Sequence, residues 1–180
     1  PTEAIALLGD KIKAKALARK AGVPTIPGSE GAVPDEEAAL KLAAQLGYPV
    51  LLKAAGGGGG RGMRISHNPI SLRNNFQQAR AEAESAFGNG TLYLEKHIES
   101  LRHVEVQILA DEHGAILHLG ERDCSIQRRN QKLVEETPCP IIDKRTRYDV
   151  QIAATRIMKA AKYANAGTVE FIYDLKSGKF

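Results

Sequence analysis

The stretch from Tyr48 to Arg64 reads YPVLLKAAGGGGGRGMR, an apolar run that ends in Lys53 and opens into five consecutive glycines before Arg61. Glycine loses more conformational freedom on folding than any other residue, so this run fits a loop whose backbone N–H groups close around an anion. A flexible linker is the simpler alternative for the glycines alone. The flanking lysine and arginine favour a phosphate-binding loop. No glycine precedes Lys-Ser or Lys-Thr, so the loop is not a Walker A loop and a different nucleotide fold is predicted.

The composition is that of an ordinary globular chain, with 180 residues of which 43% are hydrophobic. Such a length predicts one domain or two small lobes. No apolar run approaches the roughly 18 residues of a bilayer span, and the N-terminus lacks a signal-peptide pattern. We therefore expect no membrane association and a cytoplasmic location, or the mitochondrial matrix or a plastid in a eukaryote. Cys124 and Cys139 are expected to be reduced thiols.

The net charge of +4 comes from 25 basic and 21 acidic residues. This surplus suits an anionic small molecule as well as a nucleic acid. Only five tyrosines and four phenylalanines are available to stack on bases. A basic RNA-binding module is therefore the distant alternative, and we expect no nucleic-acid partner.

Alternating helical and strand patterns predict a chain of mixed α and β structure. Helices are predicted at 10–21, 34–46, 69–87 and 145–163, and strands at 50–53, 63–66, 92–94, 103–108 and 168–173.

Two of these strands carry polar residues that need an explanation. From His103 to Ile108, aliphatic residues alternate with a histidine, a carboxylate and an amide, which predicts one packed face and one polar face. The polar face fits either the wall of a cleft or a solvated edge strand. In the last strand, Glu170 lies between Val169 and Phe171. A carboxylate among apolar residues predicts a nearby Mg²⁺ or arginine, unless that strand has a solvent face.

Residues 121–136 read ERDCSIQRRNQKLVEE and are nearly all polar. They show neither heptads nor a helical apolar stripe, so a solvated charged segment is the simplest interpretation. The same donors also suit a nucleotide's triphosphate, its ribose and a second anion.

Six motifs, in order and spacing, resemble the ATP-grasp portion of biotin carboxylase. They are Gly9-Asp10-Lys11, Lys53-Ala54-Ala55-Gly56 through Arg61-Gly62-Met63-Arg64, Leu94-Glu95-Lys96, Arg102-His103-Val104-Glu105-Val106-Gln107, Glu121 through Glu136, and Ala166-Gly167-Thr168-Val169-Glu170-Phe171. The resemblance covers essentially the whole chain. The specific part of the resemblance is RHVE followed by RDCSIQRRNQK. The glycine run is less specific, because similar runs occur in other proteins. It implies an α+β, partial ATP-grasp fold with mostly antiparallel sheets and helices.

The resemblance implies that ATP activates bicarbonate as carboxyphosphate, and that the carboxyl group then passes to protein-linked biotin, with Mg²⁺ or Mn²⁺ as the metal. It implies that Lys132 is catalytic, near bicarbonate and carboxyphosphate, and that Glu170 is a metal ligand. The residues that it implies for nucleotide binding are the phosphate-binding Lys11 and Lys53, the lid glycines Gly59 and Gly60, the adenine hinge Glu95, Lys96, His97 and Ile98, the opposite wall His103 and Gln127, and Asn130, where many members carry histidine.

By the same resemblance, residues 1–24 form a helical connector from a missing N-terminal lobe, residues 25–97 the lid lobe, and residues 98–180 the first part of the C-terminal lobe. Pro1 stands without an initiator methionine. Phe180 comes before the family's second metal glutamate and its bicarbonate-binding arginine. We therefore expect a piece of a longer enzyme that lacks turnover by itself and retains at most weak ATP affinity.

The implied partners are bicarbonate, a biotin carboxyl carrier protein or domain, and a carboxyltransferase component, with the full-length enzyme a homodimer. The main alternative is another ATP-grasp ligase, of the carbamoyl-phosphate-synthetase type, which shares the bicarbonate step and transfers to ammonia.

Overall fold

The computed structural model describes residues 1–56 and 60–180, so Gly59, predicted in the lid, lies outside the described residues. The helices are α1 (Thr2–Gly9), α2 (Lys11–Lys20), α3 (Glu36–Leu46), α4 (Pro69–Phe87) and α5 (Lys144–Ala160). The strands are β1 (Val50–Ala54), β2 (Arg64–Ser66), β3 (Leu92–Lys96), β4 (Leu101–Ala110), β5 (Ile116–Arg128), β6 (Gln131–Glu136) and β7 (Asn165–Asp174). The α+β class with antiparallel sheets is confirmed. None of the helices within the described ranges is long and apolar enough to cross a bilayer.

The chain forms two compact units. The three-stranded unit comprises Gly9–Ala16 and Ile26–Ile98, and the four-stranded unit comprises Pro1–Leu8, Leu17–Thr25 and Glu99–Phe180.

The three-stranded unit contains a sheet of order β2-β1-β3 covered by α3 and α4. Local signals set the bounds of α4. The Asn68 side chain accepts from the Ser71 N–H at 2.8 Å, Pro69 begins the first turn, and Gly88 ends the helix in the left-handed region at φ 64°. The apolar face that the sequence predicts is buried in the core. Its members are Leu72, Phe76, Ala79 and Ala83.

The four-stranded unit contains a sheet of order β6-β5-β4-β7. Alternation along β4 sends three of its aliphatic residues to one face, where they are at most 1% exposed and pack against α5. These core residues are Val104, Val106 and Ile108 on β4, with Val150, Ala154 and Ile157 on α5. The Asp143 side chain begins α5 by accepting from the Thr146 N–H at 2.7 Å.

The structure decides between three pairs of alternatives that the sequence left open. The strand β4 is not an edge strand, because β5 and β7 pair with its two sides. Residues 121–136 form most of the β5–β6 hairpin, in which Glu121 and Asp123 are 2% and 4% exposed whereas all of β6 is exposed. Glu170 is not buried among apolar residues, since its side chain is 64% exposed on the solvent face of β7.

The β5–β6 hairpin closes through a two-residue turn between the paired Arg128 and Gln131. Arg129 and Asn130 both occupy the left-handed region, at φ 53° and 62°. This geometry matches the twist of an antiparallel pair, and asparagine tolerates it better than other non-glycine residues. The left-handed backbone conformation of the turn therefore accounts for an asparagine at position 130.

Candidate functional site

In the three-stranded unit, two lysine side chains contact one buried carboxylate. We call these residues the Glu95 cluster (Lys15, Lys53 and Glu95). On β1 and β3, Lys53 pairs with Tyr93, and Glu95 follows two residues later on the same face. The Lys53 ammonium donates to Glu95 Oε2 at 2.8 Å, and the Lys15 ammonium on α2 donates to Oε1 at 2.5 Å. Both ammonium groups lie over the Tyr93 ring, 5.7 and 5.8 Å from its centroid. The carboxylate therefore has a cation on each oxygen.

Burial and charge act against each other in the Glu95 cluster. Burial by itself raises the pKa of Glu95, but the charges of Lys53 and Lys15 and their hydrogen bonds outweigh it and lower that pKa. Burial, reinforced by the Glu95 charge, raises the pKa of Tyr93. At neutral pH the cluster holds two ammonium groups and one carboxylate, and thus a net charge of +1.

The predicted adenine hinge, Glu95 to Ile98, is anchored by its own unit. The Lys96 N–H donates to Pro27 O at 2.8 Å, and the His97 N–H donates to Pro49 O at 3.1 Å. The Lys96 ammonium donates to the carbonyl oxygens of Gly47 and Tyr48 at 2.9 and 3.0 Å. The Lys96 ammonium therefore ties the end of β3 to the Gly47–Tyr48 segment, and its part in nucleotide binding stays a prediction.

The described ends of the glycine loop are tied to the sheet. The Lys11 N–H donates to Ala55 O at 3.4 Å, and the Ala54 N–H donates to Gly62 O at 3.1 Å. Gly60 and Gly62 adopt φ 79° and 66°, which other residues rarely do. A Cβ on Gly62 would also lie 2.8 Å from the Ala54 Cβ. Gly62 is thus hydrogen-bonded to the end of β1, one residue after Lys53.

The four-stranded unit carries a second charged arrangement on the face opposite its core, which we call the Glu105 row (Glu105, Arg122, Lys132 and Glu170). Glu105 on β4 stands opposite Arg122 on β5 and Glu170 on β7. Arg122 Nε donates to Glu105 Oε1 at 2.7 Å, and the Lys132 ammonium donates to Glu105 Oε2. The same ammonium lies 2.8 Å from Glu170 Oε1. Lys132 therefore bridges a buried and an exposed carboxylate.

The pKa values of Glu105 and Lys132 are both shifted in favour of their charged forms. Burial would raise the pKa of Glu105, but hydrogen bonds from Lys132 and Arg122 outweigh it and lower that pKa. Burial would likewise lower the pKa of Lys132, but the hydrogen bonds that it donates to Glu105 and Glu170 raise it. Lys132 is therefore an ammonium throughout the neutral range.

The remaining predicted residues lie on β4 and at the end of β5. The His103 N–H donates to Ser125 Oγ at 2.9 Å. Gln127 donates its amide to Cys124 O at 2.9 Å, and Asn130 lies in the hairpin turn. The structure brings Lys53 together with Glu95 and Lys132 together with Glu170.

Sequence reasoning missed three residues of these arrangements. Lys15 precedes Glu95 by 80 positions, and Glu105 and Arg122 are 17 positions apart. The alternation along β4 did place Glu105 on a polar face, but pairing it with Arg122 requires the register of β4 and β5. No signal in the sequence marks Lys15 apart from the other lysines of α2.

These arrangements suit the binding of anions. Each unit holds a lysine that is fixed by a carboxylate and still 21% or 31% exposed, Lys53 in one and Lys132 in the other. An ammonium has three donors, so each can bind a phosphate or carbonate oxygen while it keeps its carboxylate.

The comparisons with known proteins agree with this chemistry. The family model described as "Carbamoyl-phosphate synthase L chain, ATP binding domain" matches residues 10–180. A biotin carboxylase from Nostoc sp. is 54% identical over 178 residues, which are 99% of this chain and 40% of that protein. The chain thus spans about two fifths of the length of this curated relative.

Two solved structures superpose closely on this chain. The biotin carboxylase of Campylobacter jejuni, in a complex with beta-gamma-ATP, superposes with a TM-score of 0.96 at 51% identity, over 98% of this chain and 40% of that one. The biotin carboxylase domain dimer of Hydrogenobacter thermophilus 2-oxoglutarate carboxylase, in complex with MgADP, ADP and bicarbonate, gives 0.92 at 50% identity, over 96% and 38%. The antiparallel α+β fold is therefore that of the ATP-grasp part of such domains.

Proposed function

Since this chain belongs to the family of the carbamoyl-phosphate synthase L chain ATP-binding domain, we propose that it is the nucleotide-binding part of a biotin carboxylase. The whole enzyme would use ATP to activate bicarbonate and would pass the carboxyl group to protein-linked biotin. The observation that carries the proposal is the Glu105 row, where Lys132 is held as a permanent cation between Glu105 and Glu170. The high identity to a named biotin carboxylase supports the choice of substrate.

The reaction requires cations at both anionic reactants. A bicarbonate oxygen attacks the γ-phosphorus of ATP, the bond to the β,γ-bridging oxygen breaks, and ADP leaves with that oxygen. Lys53 and Lys11 are proposed to bind the phosphates, and Lys132 to bind bicarbonate and the resulting carboxyphosphate. Fixed ammonium groups need no reorganisation as charge moves, which is how preorganised sites lower a barrier.

The other roles follow the predictions from the sequence. We assign the adenine to the hinge Glu95–Ile98, the lid to Gly59 and Gly60, and further nucleotide contacts to His103, Gln127 and Asn130. The division into a connector (1–24), a lid lobe (25–97) and the start of a C-terminal lobe (98–180) is proposed with them.

We propose Glu170 as a ligand of Mg²⁺ or Mn²⁺. Its carboxylate is 64% exposed and uses Oε1 for Lys132, so a second cation has access to it. Magnesium takes few ligands from proteins and the rest from phosphates and water, so one carboxylate from this chain is compatible with such a site. The ion would supply charge neutralisation at the phosphates when bound.

Further partners and the location belong to the full-length protein. We propose a biotin carboxyl carrier protein or domain, a carboxyltransferase component and a homodimer. A dimer is recorded for the Hydrogenobacter domain. We propose the cytoplasm, or the mitochondrial matrix or a plastid in a eukaryote, because the buried Cys124 and Cys139 are free thiols, as is usual in reducing compartments.

The family name also raises the carbamoyl-phosphate alternative, and one assay separates the two. ADP release by the full-length protein would be measured with bicarbonate, and with free biotin or ammonia added or omitted. Release that requires both bicarbonate and biotin, and that Lys132→Met abolishes, supports the proposal. Release that ammonia stimulates and biotin does not would refute it.

A further inference from the structure

We infer that Lys15 is a positioning residue for the nucleotide: it neutralises Glu95 and thereby leaves the charge of Lys53 available to a phosphate. The inference rests on the proposed role of Lys53 in phosphate binding. It gives a function to a lysine that neither the motifs nor the glycine loop include.

The geometry separates the two lysines of the Glu95 cluster. Lys15 is held twice, because its ammonium donates to Glu95 Oε1 at 2.5 Å and to Ile26 O at 3.1 Å. Lys53 holds Glu95 Oε2 at 2.8 Å and is slightly more exposed, with 21% of its side chain accessible against 16% for Lys15. Lys15 is therefore a fixed component of the unit, and Lys53 is the lysine with access to a ligand.

The charge balance explains why a second lysine is needed. The Glu95 side chain is only 4% exposed, so water does little to screen it. With Lys53 alone, the pair is neutral, and a phosphate has to compete with a buried carboxylate for the same ammonium. With Lys15 on the other oxygen, the cluster carries +1. An incoming anion then meets a net positive site at the end of β1.

The lowered pKa of Glu95 agrees with this balance, since the charges of both lysines contribute to it. In Lys15→Met, Lys53 alone of these two lysines remains on the Glu95 carboxylate, and an incoming phosphate competes with that carboxylate for its ammonium.

The test uses Lys15→Met in the full-length protein, with Lys15→Arg as the conservative variant. Lys13→Met is the matched control, because Lys13 lies on the same helix, is 62% exposed and has only a 3.7 Å ion pair with Asp10. We expect Lys15→Met to raise the KM for ATP and the Kd for ADP about 10-fold, the effect of removing one unscreened charge near a phosphate. Lys15→Arg should restore most of the affinity, and Lys13→Met should change it less than about twofold.

A second substitution distinguishes charge from folding. If Lys15 acts by neutralising Glu95, then adding Glu95→Gln to Lys15→Met removes the unpaired charge and should recover nucleotide affinity to within about threefold of wild type. A purely structural role predicts that the double variant binds no better than Lys15→Met. An unchanged Kd for ADP in Lys15→Met, or no recovery in the double variant, would overturn the inference.

The readout also separates this inference from the proposed function. Nucleotide binding is measured directly by titration with a fluorescent ADP analogue, whereas the proposed function is judged by ADP release that depends on biotin. Wild-type protein that binds ADP but ignores biotin would refute the function alone.

Discussion

Replacement of Arg147 by methionine should destabilise the four-stranded unit strongly and in a pH-dependent way. The carboxylate of Glu121 projects from β5 into the core face, where its side chain is 2% exposed. Its Oε1 accepts from Arg147 Nε at 2.6 Å and from the Cys139 N–H at 3.3 Å, and its Oε2 accepts from Gln151 at 2.8 Å. Arg147 is the cation in this network and also donates to Cys139 O at 2.9 Å.

The magnitude follows from leaving a buried charge without its partner. Breaking such a pair costs about 3–5 kcal/mol when both groups are fully buried. The Arg147 side chain is 28% exposed, so water reaches the site and the lower part of that range applies. We expect Arg147→Met to lower the free energy of unfolding by about 3 kcal/mol at pH 7.5.

The destabilisation caused by Arg147→Met should be smaller at acidic pH. Burial would raise the pKa of Glu121, but hydrogen bonds from Arg147 and Gln151 outweigh it and lower that pKa in the wild type. The wild-type contribution is thus complete above the ordinary glutamate pKa and is lost only as the pH falls through the lower folded value. Without Arg147, burial dominates and the folded pKa rises above the ordinary value. Protonation then relieves the penalty, to about 1 kcal/mol at pH 4.5.

The assay is urea unfolding of the full chain at both pH values, with hydrogen exchange of peptides from β4, β5 and α5 to assign the transition to the four-stranded unit. Arg145→Met is the matched control. Arg145 lies on the same helix but is 89% exposed, with a 3.7 Å pair to Asp149, so its loss should cost less than about 0.5 kcal/mol. Equal costs for the two variants, or an Arg147→Met cost that does not change with pH, would refute the reasoning.

Three further predictions concern single positions. Gly28→Ala should destabilise the three-stranded unit by about 2–3 kcal/mol, seen as faster hydrogen exchange in β3, because the new Cβ would lie 2.2 Å from Leu94 O; wild-type exchange rates would contradict it. Asn130→Ala should cost about 1 kcal/mol in urea unfolding and Asn130→Gly close to nothing, since φ is 62°; equal costs would show that the side chain matters instead. Burial raises the pKa of the Cys124 thiol to about 11, so a thiol reagent at pH 8 should label it only after urea is added. Rapid labelling of the native protein would contradict its burial.

Where the signals are local, the sequence predicts the structure closely. The bounds of α4 follow from an asparagine cap, a proline in the first turn and a glycine at the end, all of them next to the helix. The alternation along β4 likewise identifies its core residues before any partner strand is known.

Where a residue's environment depends on a distant partner, the sequence predicts it poorly. Glu121 and Asp123 look solvated in the sequence because nothing near them shows an apolar surface. Glu121 is buried because Arg147, 26 positions later, arrives on α5 with its charge. Glu170 shows the opposite error, since its apolar neighbours suggest burial while Lys132 binds it on an exposed face.

The buried carboxylates of the four-stranded sheet also specify how its strands pair. Neighbouring residues on β5 point to opposite faces, so Arg122 reaches Glu105 on one face and Glu121 reaches Arg147 on the other. A slip of β5 by one residue would exchange these faces. Arg122 would then enter the apolar core and Glu105 would lose a cation, and each change would cost several kcal/mol. The charges that suit anion binding therefore also fix the register that places Lys132 beside Glu105.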